Sequence, residues 1–157
     1  MQELMTAKCL DNLREQLREI QDIQRPANLK EIDKARQNGD LKENADYHAA
    51  REQQGFIDGK IAELKDLMAR AVIVDPASLV HDRVRFGSSV KLEDEEGAKH
   101  CYTIVGSQES NPAKGLISFA SPLAKALLGK GVDDEVEVLL PKGRSVFYVD
   151  EIWYEEW

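Results

Sequence analysis

Cysteine is scarce in this chain of 157 residues: Cys9 and Cys101 are the only two, and they stand far apart. That excludes a disulfide framework and reads as two free thiols in a reducing cytoplasm. No Cys/His cluster has the spacing of a zinc site. No apolar run approaches the roughly 18 residues of a membrane span. Residues 1–6 lack the basic region and apolar core of a signal peptide, so a cytoplasmic location and no membrane partner are expected. Basic charge is also short, with 21 Lys and Arg against 29 Asp and Glu, a net −8. A chain this acidic is a poor candidate for gripping bare duplex, because phosphate neutralisation dominates that binding. If it acts on nucleic acid, it reaches it through a protein. There is no Gly-rich phosphate loop, and Ser89, Ser107 and Ser145 have no nucleophile context.

What is present divides into two halves, expected at 1–75 and 76–157. In the first, Leu10, Leu13, Leu17, Ile20 and Ile23 step by three and four, one apolar stripe along a helix. Pro26 predicts a break or kink near residues 24–27. The pattern resumes at Leu29, Ile32 and Ala35. A second helix carries Ile57, Ile61, Leu64, Met68 and Ala71 at heptad spacing. Together they predict an antiparallel α-helical coiled-coil hairpin. Near its turn the stripe thins to alanines, which keeps the end slender. A helix of roughly 27 residues would reach about 40 Å.

The second half changes to period two. Val84, Phe86, Val90 and Leu92 alternate with polar residues, as do Tyr102 and Ile104, Val136, Val138 and Leu140, and Val146 and Tyr148. Glycines punctuate the pattern. One helix interrupts it over 121–130, with Ser121 as N-cap, Pro122 in the first turn and Gly129 as the stop. The expected class is α+β: the hairpin, then a small antiparallel sheet domain with one helix.

The stretch 38–52 is richer than a turn requires. Gly39 supplies the residue that tolerates positive φ. Asp40 and Glu43, three apart at the expected start of the second helix, can point the same way. Two carboxylates alone make a weak Mg²⁺ site, so they would complete a site whose other ligands sit elsewhere. Their spacing also fits a capping box, with Asp40 as N-cap and Glu43 its partner. Arg36 and Arg51 flank the tip with Lys42 nearby, and guanidinium groups bind phosphate in a bidentate way. Tyr47 and His48 could meet a base, or simply pack.

The run Gly39-Asp40-Leu41-Lys42-Glu43-Asn44-Ala45-Asp46-Tyr47-His48 closely resembles the tip motif of the GreA/GreB family of bacterial transcript-cleavage factors. Residues 121–130 resemble that family's C-terminal signature, and the likeness spans nearly the whole chain. The resemblance implies a coiled-coil domain followed by an FKBP-like domain. It implies a monomer whose partners are bacterial RNA polymerase, at the β′ rim of the secondary channel, and the nascent RNA 3′ end. Ser121, Pro122, Leu123 and Lys125 would bind the polymerase. Asp40 and Glu43 would be the catalytic acids on a Mg²⁺ ion shared with the polymerase, no cofactor being held by this chain alone. Arg36, Arg51, Lys42 and Tyr47 would guide RNA. The protein would then be an activator of the polymerase's own RNA cleavage rather than an enzyme. Asp46 departs from the pattern, since many members carry Glu there. The hairpin also lacks the dense basic patch of the GreB type. The alternative function is a non-cleaving regulator that occupies the same channel; a coiled-coil adaptor and a stand-alone nuclease are weaker rivals.

Overall fold

The computed structural model describes residues 2–157 and divides into two compact units. One is helical and runs over residues 10–71. The other joins residues 2–9 to residues 72–157. The boundary expected at 75 and 76 falls instead at 71 and 72, and residues 2–9 group with the second unit. The reason is a short sheet absent from the expectation: β1 (Glu3–Met5) pairs with β2 (Ala71–Ile73). Val74 N–H extends the pairing by donating to Met5 O at 2.9 Å. Close beside it, a Cβ on Gly106 would sit 2.5 Å from Leu4 O, so only glycine fits there.

The helical unit is an antiparallel hairpin. Its first arm is α1 (Ala7–Glu19), a π-helical segment (Ile20–Gln24) and α2 (Arg25–Arg36); its second is α3 (Ala45–Ala69). Pro26 does not break the helix. The backbone stays right-handed through Gln24 and Arg25, and Arg25 N–H reaches back five residues to Ile20 O. The wider π turn accommodates a ring that would crowd the preceding turn of an α-helix and lacks an N–H to bond there. It also holds one residue more than an α turn would, which re-phases everything after it. Ile23 is left 65% exposed, and Leu29 also lies outside. The inward positions become Asn28, Ile32 and Ala35. The expected stripe thus holds at Ile32 and Ala35 and fails at Ile23 and Leu29, because the helix continues through a π turn where a break or kink was expected. On α3 the buried residues are Ile57, Leu64 and Leu67, with Ile61 and Met68 half-buried.

The second unit is a five-stranded sheet in the order β5-β4-β3-β7-β6. Its strands are β3 (Ser88–Asp94), β4 (Lys99–Val105), β5 (Leu116–Ser118), β6 (Glu135–Leu140) and β7 (Gly143–Tyr154). The expected all-antiparallel sheet is mixed, because β5 runs parallel to β4 with Ile104 opposite Ile117. Val84 and Phe86 are buried as alternation suggests, yet they lie before the first strand of this sheet, in irregular chain. A helix, α4 (Pro122–Leu127), covers one sheet face. Val90, Leu92, Ile104, Val136, Val138, Phe147 and Val149 pack there with Ala124 and Leu127. Each full burial of such an aliphatic side chain contributes about 1.5–3 kcal/mol. The α+β class is as expected.

Candidate functional site at the hairpin tip

Eight residues connect α2 to α3. Gln37 closes α2, Gly39 takes φ +112° and Asn44 opens α3. The capping box expected of Asp40 and Glu43 is not formed, because the helix begins later. Asn44 is the N-cap, and its Oδ1 accepts Tyr47 N–H at 3.1 Å. Its Nδ2 donates across the turn to the Ala35 carbonyl. One buried amide therefore satisfies groups at both helix ends. Asp40 Oδ1 accepts Lys42 N–H at 3.0 Å, an Asx turn within the loop. His48 N–H bonds Asn44 O, and His48 Nε2 donates to Lys42 O at 3.2 Å.

These bonds fix the loop, and of its two acids Asp40 takes part through one oxygen, in the turn to Lys42. Asp40 and Glu43 are exposed and line one open concavity of about 370 Å³, with Asp46 also on its wall. The structure therefore brings the two predicted carboxylates together, by a turn rather than by one helix face. Among the described residues, no group of three or more His, Cys, Asp or Glu side chains is placed to hold a metal ion. Asp40 and Glu43 offer hard oxygen ligands of the kind Mg²⁺ takes, too few for a closed site.

The basic and aromatic residues divide. Arg36, at the end of α2, sets its guanidinium 6.0 Å from the centre of the Tyr47 ring and lies 3.8 Å from Asp33. Tyr47 is half-buried, with its ring edge-on to His48. It thus packs and frames the tip at once. Lys42 is exposed in the loop. Arg51 is exposed almost two turns into α3 and does not line the concavity. Sequence reasoning missed Asn44, although an Asn directly before an alanine-rich helical run is an N-cap signal.

In the second unit, Ser121 Oγ caps α4 by accepting Ala124 N–H at 3.3 Å. Pro122 and Lys125 face solvent, whereas Leu123 packs on the core. The signature segment therefore splits between holding α4 and presenting a surface.

Two sequence-family models cover these units. "Transcription elongation factor, N-terminal" matches residues 3–73, and "Transcription elongation factor, GreA/GreB, C-term" matches residues 79–154. The transcription elongation factor GreA of Nautilia profundicola is 54% identical over 155 residues, covering 98% of this chain and 96% of the relative. That of Helicobacter hepaticus is 50% identical, covering 98% and 95%. Among solved structures, GreA factor homolog 1 of Thermus thermophilus superposes with a TM-score of 0.47 at 29% identity, covering 98% of this chain and 99% of that one.

Proposed function

The chain belongs to the GreA/GreB family of transcription elongation factors, and from that premise we propose that it stimulates an RNA polymerase to cleave its own backtracked transcript. The observation that carries the reading is the pair Asp40 and Glu43 on one open concavity, in a loop held at both ends by Asn44. Acids built into a fixed turn, with too few ligands for a closed site, suit a centre completed by another molecule.

Asp40 and Glu43 would hold a Mg²⁺ ion together with ligands from the polymerase. When bound, that ion neutralises charge building on the attacked phosphate. The chain's own residues orient and guide. The carboxylates accept hydrogen bonds from the attacking water and aim its oxygen at phosphorus, while the RNA 3′ oxygen departs. Arg36 and Lys42 offer cations to the RNA backbone beside the concavity, and Arg51 does so farther along α3. Tyr47 holds Arg36 in place. On this reading the protein is an activator and not a free-standing enzyme, since most of the catalytic centre is lent to it. Pro122 and Lys125 supply the surface that binds the β′ rim of the secondary channel, with Ser121 and Leu123 fixing α4 beneath them. The setting is the bacterial cytoplasm, where the polymerase works, and the protein acts as a monomer. No described helix is long and apolar enough to cross a membrane.

The test is a 3′-labelled, backtracked elongation complex supplied with Mg²⁺. Wild type should release short 3′ fragments quickly, and Asp40→Ala/Glu43→Ala should not. Binding of both proteins without cleavage by either would make this a channel-occupying regulator instead.

A further inference from the structure

Glu43 is flanked on both sides by peptide carbonyls that His48 holds. The backbone N–H of His48 donates to Asn44 O at 3.1 Å, and its ring Nε2 lies 3.2 Å from Lys42 O. A carbonyl can only accept, so Nε2 carries the hydrogen and donates it. The ring bond bears on Glu43 directly. Lys42 O lies in the peptide plane that also contains the nitrogen and α-carbon of Glu43. Holding that oxygen sets the plane from which the Glu43 side chain leaves. The other end of Lys42 is tied as well, since its N–H donates to Asp40 Oδ1 at 3.0 Å. Asp40 thus secures its own side of Lys42, whereas the side toward Glu43 is secured by His48.

Folding alone does not ask for histidine here. His48 is exposed, and the alanines that follow it are better helix formers. The helix is already capped by Asn44. That cap joins Ala35 to Tyr47 and does not touch the Lys42–Glu43 peptide. Little packing depends on the ring, which meets Tyr47 edge-on with 5.7 Å between centres. Nor does His48 reach the concavity, whose wall is Asn38, Asp40, Glu43, Asn44, Ala45 and Asp46. The ring therefore acts from behind that wall, on the backbone, and not on a ligand in front of it.

We propose that His48 is a positioning residue for transcript cleavage: its ring N–H holds the Lys42 carbonyl so that Glu43 keeps the direction in which its carboxylate meets the reacting centre. The proposal rests on the reading that the tip serves a polymerase's cleavage reaction. It gives His48 neither a contact with a base nor a proton to transfer.

Two variants separate this role from a structural one. His48→Gln keeps an N–H donor at a similar reach, and His48→Leu removes it. The site is exposed and both residues are good helix formers, so α3 should fold in either. Both should bind polymerase as wild type does. At saturating factor, His48→Leu should slow cleavage about tenfold and His48→Gln by no more than about threefold. In a Glu43→Gln background His48→Leu should cost nothing more, because a residue that works through Glu43 has no second route. A further arm needs no polymerase: backbone amide relaxation of the free, full chain. The order parameter at Glu43 should fall from about 0.85 toward about 0.6 in His48→Leu and recover in His48→Gln. Wild-type cleavage by His48→Leu, equal loss in both variants, additive loss in the double variant or an undiminished order parameter at Glu43 would each overturn the proposal. If wild type itself stimulates no cleavage, the functional reading fails, and the order parameters still decide whether His48 holds Glu43.

Discussion

Asn44 reaches back nine residues to Ala35: its Nδ2 donates to the last-turn carbonyl of α2 while its Oδ1 caps the first turn of α3. One side chain thus ties the two ends of the turn together, while Asp40 Oδ1 and His48 Nε2 hold Lys42 between them.

Asn44→Ala should loosen the tip. Losing the cap and the cross-turn bond costs about 1–2 kcal/mol. Amide exchange over residues 38–48 should quicken, and transcript cleavage should fall although both acids remain. Unchanged exchange would show that the loop is held by other contacts.

Asp40→Asn and Glu43→Gln keep shape and remove charge. Each should slow stimulated cleavage by about 10²-fold, the scale of about 3 kcal/mol of lost transition-state stabilisation. Polymerase affinity should stay within about twofold of wild type. Equal loss of binding and cleavage in either variant would contradict the division between grip and chemistry.

The two thiols should react very differently. Cys101 is exposed, whereas Cys9 is buried and its thiol is pushed up to about 12, first by burial and then by Glu109. Because the thiolate is the nucleophile, one equivalent of a thiol reagent should be consumed quickly at pH 8 and the second only on unfolding. Rapid labelling of Cys9 in native protein would refute the packing described for residues 2–9.

Asp94 should give the β3–β4 hairpin a pH-dependent contribution. The His100 ring holds its carboxyl below the ordinary value, helped by the Ala98 and Glu96 backbone N–H groups. A lowered carboxyl pKa adds stability above the unfolded value of about 4, and that stability is lost as pH falls through the folded value. Asp94→Asn should therefore be less stable than wild type at pH 7, with the difference shrinking toward pH 3. A difference that persists at pH 3 would assign the effect to shape alone.

Much of this was legible in the residues. Apolar spacing shows the hairpin, period two shows most strands, and Ser121, Pro122 and Gly129 mark α4 as the structure has it. The pairing of Asp40 with Glu43 was legible, but its cause was not. Both Asp40 and Asn44 are good caps, and only the cross-turn bond to Ala35 decides for Asn44. Strand β1 was hidden because three residues carry no period, and their pairing with β2 spans the whole hairpin in sequence. Asn28 was hidden for another reason: reading Pro26 as a break gives no cue that the helix continues with a shifted phase.

That shift gives the first arm a spare residue. Closing Ile20–Gln24 to ordinary α geometry by deleting one residue there would leave Asn28, Ile32 and Ala35 facing α3 and shorten the arm by only about 1.5 Å. The same deletion within α2 would turn every residue between it and the tip by about 100°. The arm's length and its aim are thus set by separate stretches of sequence: the π turn can lose its extra residue without turning the tip.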